Sequence, residues 1–248
     1  MAGKTPILMA GIIVLGVGAY WLTQKQEPAP QVIDLSPESA GEGADAGTGT
    51  IVSENTVGPF LDYDIVIGDK DAPVEIIEYA AISCSHCATF HSDVYPLLKE
   101  KYLDTGKARL VYRNFIFDNP FDVFAASLTR CVAEENFLPT LETYFDSQHQ
   151  WNKLSDLKRI FEADGKAAAI KFAQGEVAGV GVTAGISAED ARACFNNKAV
   201  VSYLLKVRQE AVVKYDVQST PTIIVGGKKL DRHDMAALER AIEGATKK

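Results

Sequence analysis

The chain is poor in residues that hold metal ions: it has four cysteines and four histidines in 248 residues. A structural zinc site needs a second pair of ligands at CxxC or HxxxH spacing. Cys131 and Cys194 stand far apart, and His86, His91, His149 and His233 form no HxxxH pair. The metal site left open is one that Cys84 and Cys87 would share with His86 or His91. Positive charge is also short. Lys and Arg number 25 against 33 Asp and Glu, a net charge of −8, which argues against a nucleic-acid partner. Six of the acids and one base fall in residues 25–59, and Lys4 is the one charge before them, so residues 60–248 keep a net of −4. That excess is too small to name a partner. No internal repeat is present.

What is there begins with an address. Lys4 precedes an uncharged apolar run from Pro6 to Leu22, the form of a secretory signal, short for a membrane span and long for a signal core. Val17-Gly18-Ala19 offers small residues for cleavage after Ala19. The alternative is an uncleaved anchor with Lys4 on the cytoplasmic side. Either places the remainder in the periplasm, free after cleavage or tethered by residues 6–22. Residues 1–23 are therefore expected to be a signal peptide or anchor. Residues 24–58, rich in Pro, Gly, Ala, Glu and Ser, are expected to be a flexible linker.

The most informative stretch is Cys84-Ser85-His86-Cys87. It follows the apolar run Ile76–Ile82 and opens an amphipathic segment, Ala88 to Tyr102. A dithiol at a strand-to-helix junction sets its first sulfur at a helix N-terminus, where unpaired N–H groups favour thiolate over thiol. The thiolate carries out disulfide exchange. His86, between the cysteines, can add a donor or a full positive charge beside Cys84. Metal binding and an inert structural disulfide are the other readings of the pair.

Along the folded part, expected to start near Pro59, Leu61–Ile67 reads as a first strand and Val74–Ile82 as the central one. Cys84 to about Asp104 reads as a helix that Pro96 should kink. Ala108–Phe117 reads as a strand. Asn119-Pro120 is a cap and first-turn proline, after which Phe124, Leu128 and Cys131 share a helical face. Helices are expected near 139–150, 154–164 and 166–174. Ser187 to Asp190 resembles a capping box before the helix carrying Cys194. Ala199–Tyr215 is a long amphipathic helix. Thr222–Val225, Gly226-Gly227 and Lys228–Leu230 form a hairpin signal. Asp231–Ile242 reads as a last helix, with Gly244 as its stop.

The CxxC after a strand, and Thr220-Pro221-Thr222 before the final hairpin, resemble the thioredoxin fold. With the helical block at about 119–200, the chain resembles the DsbA group of secreted bacterial thiol:disulfide oxidoreductases over residues 60–246. The resemblance implies an α/β class: a thioredoxin fold at 59–118 and 200–248 with an inserted helical domain at 119–199. It implies that Pro221 is cis beside Cys84 and that Thr220 offers backbone groups to an extended substrate. A proline there also keeps metal ions from the thiols. Cys84 is expected to be the exposed nucleophile, Cys87 the buried resolving thiol, and His86 the stabiliser of the Cys84 thiolate. Ser85 stands where the best-known oxidants carry proline, and its hydroxyl can donate to a sulfur or cap the helix. Glu78, an acid in an apolar strand six residues before Cys84, matches an acid in the family and could exchange protons with Cys87. Its other reading is a carboxylate reaching solvent. Glu75 is expected to be exposed, and His91 is expected to have a surface role.

An oxidising compartment and an even cysteine count predict a structural disulfide between Cys131 and Cys194. The alternative is two buried free thiols. The expected activity is donation of the Cys84–Cys87 disulfide to newly exported polypeptides with free cysteines, by a monomer that needs no organic cofactor. The resemblance implies reoxidation by a membrane partner of the quinone-linked DsbB type. The rivals are a reductase or isomerase in the same fold and a metal- or copper-handling module.

Overall fold

The computed structural model describes residues 60–246; the leader and linker expected at 1–58 lie outside them. Five strands form one mixed sheet in the order β1-β3-β2-β4-β5. They are β1 (Ile65–Ile67), β2 (Val74–Ala80), β3 (Ala108–Asn114), β4 (Thr222–Val225) and β5 (Lys228–Lys229). Only β2 and β3 run parallel, with Glu78 opposite Tyr112; β1 pairs antiparallel with β3, and β4 with both β2 and β5. The parallel pair requires a crossover, and the helical segment that opens with the dithiol supplies it.

That segment is α1 (Ser85–Thr89), a wide π turn at Phe90–Val94, α2 (Tyr95–Leu98) and a second π turn at Lys99–Leu103. Pro96 sits in the first turn of α2. It has no N–H to donate backward, and the chain meets this with a widened turn just before it.

The helical block comprises α3 (Pro120–Arg130), α4 (Glu134–Asp146), α5 (Gln148–Trp151), α6 (Leu154–Thr183) and α7 (Ala188–Asn196). α8 (Lys198–Tyr215) returns the chain to the sheet, and α9 (Met235–Thr246) closes it. Asn119 caps α3 through its side chain, accepting from the Phe121 N–H, and Ser187 caps α7 by accepting from the Asp190 N–H. α3 is buried on nearly every side, so it forms the block's axis rather than one wall of it.

Alternation along the central strands sends Val74, Ile76, Leu110 and Ala108 to one face, against α2, the two π turns and α9. Ile77, Tyr79 and Val111 face α8 on the other side. The largest cluster joins Ala80, Tyr112 and Cys87 to α3, α4, α6 and α7. The core of the inserted block is thus continuous with the sheet end that carries the dithiol.

Several expectations need correction. The first strand is three residues, because Leu61 is used elsewhere: its N–H donates to the Arg130 carbonyl at 2.8 Å. The central strand stops at Ala80 and the third at Asn114. The helix expected at 139–150 starts at Glu134 and ends at Asp146. The break expected between 164 and 166 falls at Gly165, with φ 82°, but the second half runs to Thr183. Within it Gly181 serves close packing: a Cβ there would meet the Tyr144 hydroxyl at 3.2 Å and Leu128 at 3.3 Å. The last helix begins at Met235, capped by Asp234 accepting from the Ala237 N–H, and runs through Gly244.

Candidate active site

The dithiol sits where β2 ends and α1 begins. Cys84 is the N-cap of α1, in an extended backbone conformation, with its carbonyl accepting from Cys87 and Ala88. Cys84 is half-buried, Ser85 and His86 are exposed, and Cys87 is fully buried one turn further in. Both cysteines are reduced.

The two thiols are driven apart. The Cys87 thiol donates to Cys84, and the Thr220 side chain and the N–H groups of Cys87 and His86 add to it. Together these bring Cys84 down to about 5 against the opposing effect of burial. Burial pushes Cys87 well above the ordinary thiol range, helped by its hydrogen bond to Cys84 and by the charges of Cys84 and Glu78. What His86 gives Cys84 is thus its backbone N–H; its imidazole stands exposed at the rim. Ser85 is exposed beside it and has no side-chain hydrogen bond among the described residues.

Across the site, the Thr220–Pro221 peptide bond is cis. The Thr220 carbonyl lies 3.3 Å from Cys84 Sγ, as acceptor for the protonated thiol. Pro221 is buried.

Glu78 lies on the β2 face turned toward α1 and is fully buried, so it does not reach solvent. Its Oε2 is 3.1 Å from His91 Nε2. His91 therefore does not have the surface role expected of it: its side chain is 4 % exposed, in the π turn after Cys87. Helical spacing placed it on the face of the cysteines, but only the packing of that helix on β2 brings Glu78 to it. Glu75, on the opposite face, is partly exposed and paired with Arg109.

Three side chains of the inserted block, none evident from the sequence, hold the loop before the dithiol. Asp122, fully buried in the first turn of α3, accepts from the N–H groups of Ser83 at 3.0 Å and Phe117 at 2.9 Å. Burial raises it to about 6, the two N–H groups pulling the other way. Gln148 donates to the Ile82 carbonyl at 2.5 Å and the Cys84 carbonyl at 3.0 Å, and Asn152 donates to the Ser83 carbonyl at 3.0 Å. The one signal for Asp122 was an acid inside the apolar run Phe121–Leu128.

On the far side of the block, Cys131 and Cys194 form a disulfide with Cα atoms 6.1 Å apart. Among the described residues, no three His, Cys, Asp or Glu side chains gather as a metal site, and no helix is long and apolar enough to cross a membrane.

The strand order, the dithiol at the head of a helix and the cis proline facing it define a thioredoxin-type redox protein, and the chain belongs to the thioredoxin family, whose sequence profile matches residues 61–244. The inserted block makes its fold DsbA-like. Its curated relatives include a Rickettsia typhi protein named "Putative protein-disulfide oxidoreductase", 29 % identical over 186 residues, or 73 % of this chain and 62 % of the relative. The chain thus spans about six-tenths of the length of the first curated relatives it matches. Among solved structures it resembles a protein-disulfide isomerase from Novosphingobium aromaticivorans, with a TM-score of 0.66, 23 % identity, and 75 % of this chain and 98 % of that one covered. It also resembles Wolbachia pipientis alpha-DsbA1, with a TM-score of 0.56, 25 % identity, and 74 % and 92 % covered.

Proposed function

We propose that the protein is a thiol:disulfide oxidoreductase that donates the Cys84–Cys87 disulfide to exported polypeptides. One observation carries this reading: two sulfurs one helical turn apart, one held far below and the other far above the ordinary thiol range. A disulfide whose exposed sulfur leaves as a stabilised thiolate is a strong oxidant, because its reduced form is favoured. The names of the curated relatives support the reaction class.

In the forward direction a substrate thiolate attacks Cys84 Sγ, forming a mixed disulfide, and Cys87 leaves with the electron pair and takes up a proton. A second substrate thiolate then attacks the substrate sulfur, and Cys84 departs as a thiolate. Two electrons pass from the substrate dithiol to the enzyme. The Thr220–Pro221 loop beside Cys84 presents backbone groups to an extended substrate, and the exposed His86 puts a titratable ring where that substrate approaches.

The uncharged run at residues 6–22 supports an envelope location, soluble after cleavage or tethered. There a quinone-linked membrane partner of the DsbB type would restore the disulfide of the monomer. A reductase or isomerase is the second reading, since Ser85 stands where the best-known oxidants of the family it resembles carry proline.

Redox equilibrium of the Cys84/Cys87 pair against glutathione tests the direction. A potential more oxidising than about −200 mV is expected. A value near the roughly −270 mV of thioredoxin would overturn the oxidant assignment in favour of a reductase.

A further inference from the structure

Asp122 is a carboxyl taken out of water without a cation to meet it. Its side chain is fully buried in the first turn of α3. Its oxygens accept from the N–H groups of Ser83 and Phe117, and the Ser83 hydroxyl adds to them. No salt bridge offsets its charge among the described residues: Asp118, four residues before it, is paired with Arg208 of α8, and Lys153 at the head of α6 with Glu176. Around it stand Cys84 at the head of α1 and Tyr112 of β3, whose hydroxyl burial keeps protonated. α4 and α7 join α3 through apolar side chains, among them Phe137, Leu141 and Ala191. From α5 and the turn after it come the amides of Gln148 and Asn152, on the carbonyls of the same loop.

Asp122 therefore grips the residue that precedes Cys84. When the dithiol is reduced, the Cys84 thiolate and the Asp122 carboxylate lie on either side of Ser83; when it is oxidised, only the carboxylate is charged. Two like charges in a partly buried site repel. Repulsion is reciprocal: whatever the carboxylate does to the thiolate, the thiolate does to the carboxyl. Burial lifts Asp122 to about 6 and the Cys84 charge adds to it, while Cys84 itself titrates near 5.

We propose that Asp122 is a positioning residue with a second effect: its negative charge is a counterweight to the Cys84 thiolate, so that the disulfide is a weaker oxidant while Asp122 is ionised and a stronger one once it takes up a proton. This rests on the thiol-exchange function proposed above. Two glutathione thiols reduce the pair. The Cys84–Cys87 bond breaks, Cys84 is left as a thiolate, Cys87 keeps one proton, the other is released, and one molecule of oxidised glutathione forms. Two electrons enter the protein, and the negative charge they leave on Cys84 is the charge that Asp122 opposes.

The test uses the full-length chain and its D122N and Q148L variants. Each is equilibrated anaerobically with mixtures of reduced and oxidised glutathione between pH 5 and pH 8, quenched in acid, and read by mass spectrometry. At pH 8 the equilibrium constant of D122N should favour the reduced protein at least about threefold more than that of the unaltered chain, and at pH 5 the two should agree within about 1.5-fold. Q148L removes two donors from the same loop and changes no charge, so any shift it causes should be equal at both ends of the range. A D122N shift that is absent, or equal at pH 5 and pH 8, would overturn the inference while leaving the exchange function standing. So would a Q148L shift that also closes at pH 5. Failure of the unaltered chain to form the Cys84–Cys87 disulfide with glutathione would overturn both. If D122N does not fold, the carboxyl carbon resonance of Asp122 decides in the unaltered chain. It should titrate at higher pH in the reduced than in the oxidised form, and equal midpoints would reject the counterweight.

Discussion

Cys84 and Cys87 are the same chemical group in two environments, and the difference can be measured at each sulfur. With Cys84 held near 5, alkylation at Cys84 should stay level from pH 8 down to about 6 and fall through a midpoint near 5, followed by mass spectrometry of the reduced protein. Cys87 should stay unlabelled until the protein unfolds. Stability follows the same shift. A thiol depressed in the folded state adds stability that is lost as pH falls through about 5 and is complete only above the unfolded value of roughly 8.5. The melting temperature of the reduced form should therefore gain on that of the oxidised form between pH 5 and 8. At this scale the sequence was legible where spacing alone defines the group, as in the dithiol and the acid in an apolar strand. It misled on His91, expected at the surface, because its partner lies 13 residues away across a helix-to-strand contact.

α3 connects the two ends of the inserted block: Asp122 in its first turn holds Ser83, and Cys131 stands at its C-terminal end. Replacing Asp122 by Asn leaves one acceptor where two backbone N–H groups point, and sets an amide donor against the second. A loss of about 1–3 kcal/mol is expected on denaturant unfolding, the usual cost of an unsatisfied buried group. Asp122 binds its proton more tightly folded than unfolded. The oxidised protein, in which Cys84 does not titrate, should thus lose stability from this residue as pH climbs from about 4 to 6. The Asn variant should lack that part of the slope, and an unchanged slope would show that Asp122 stays ionised throughout. Element existence was readable from capping residues and periodicity, as at Asn119, Ser187 and the hairpin glycines. Boundaries failed where a helix ran on past its expected end, as from 174 to Thr183, or through its supposed stop, as at Gly244. The clamp of Gln148 and Asn152 was invisible for a similar reason, since polar residues in short helical turns look solvated until the facing loop is placed.

For the molecule as a whole, the Cys131–Cys194 bond closes a loop 63 residues long. By the chain-entropy account it contributes up to about 4 kcal/mol. C131S/C194S should melt about 10 °C lower in calorimetry and still exchange disulfides through Cys84. An unchanged melting point would show that the bond constrains little of the unfolded chain. The general architecture could be anticipated because the dithiol, the Thr-Pro pair and the helical block occupy well-separated parts of the chain in a recognisable order. The edges of the sheet have a consequence of their own. The unfolded client of the proposed function would arrive as an extended chain with bare N–H and C=O groups, the kind of chain that adds itself to any open strand. At one border of this sheet it meets β1, only three residues long, and at the other β5, which presents two exposed lysines. Neither border is a template on which sticky chains could pile up. In the proposed exchange the client would be left with the loop beside Cys84, a berth to vacate once its own disulfide had formed.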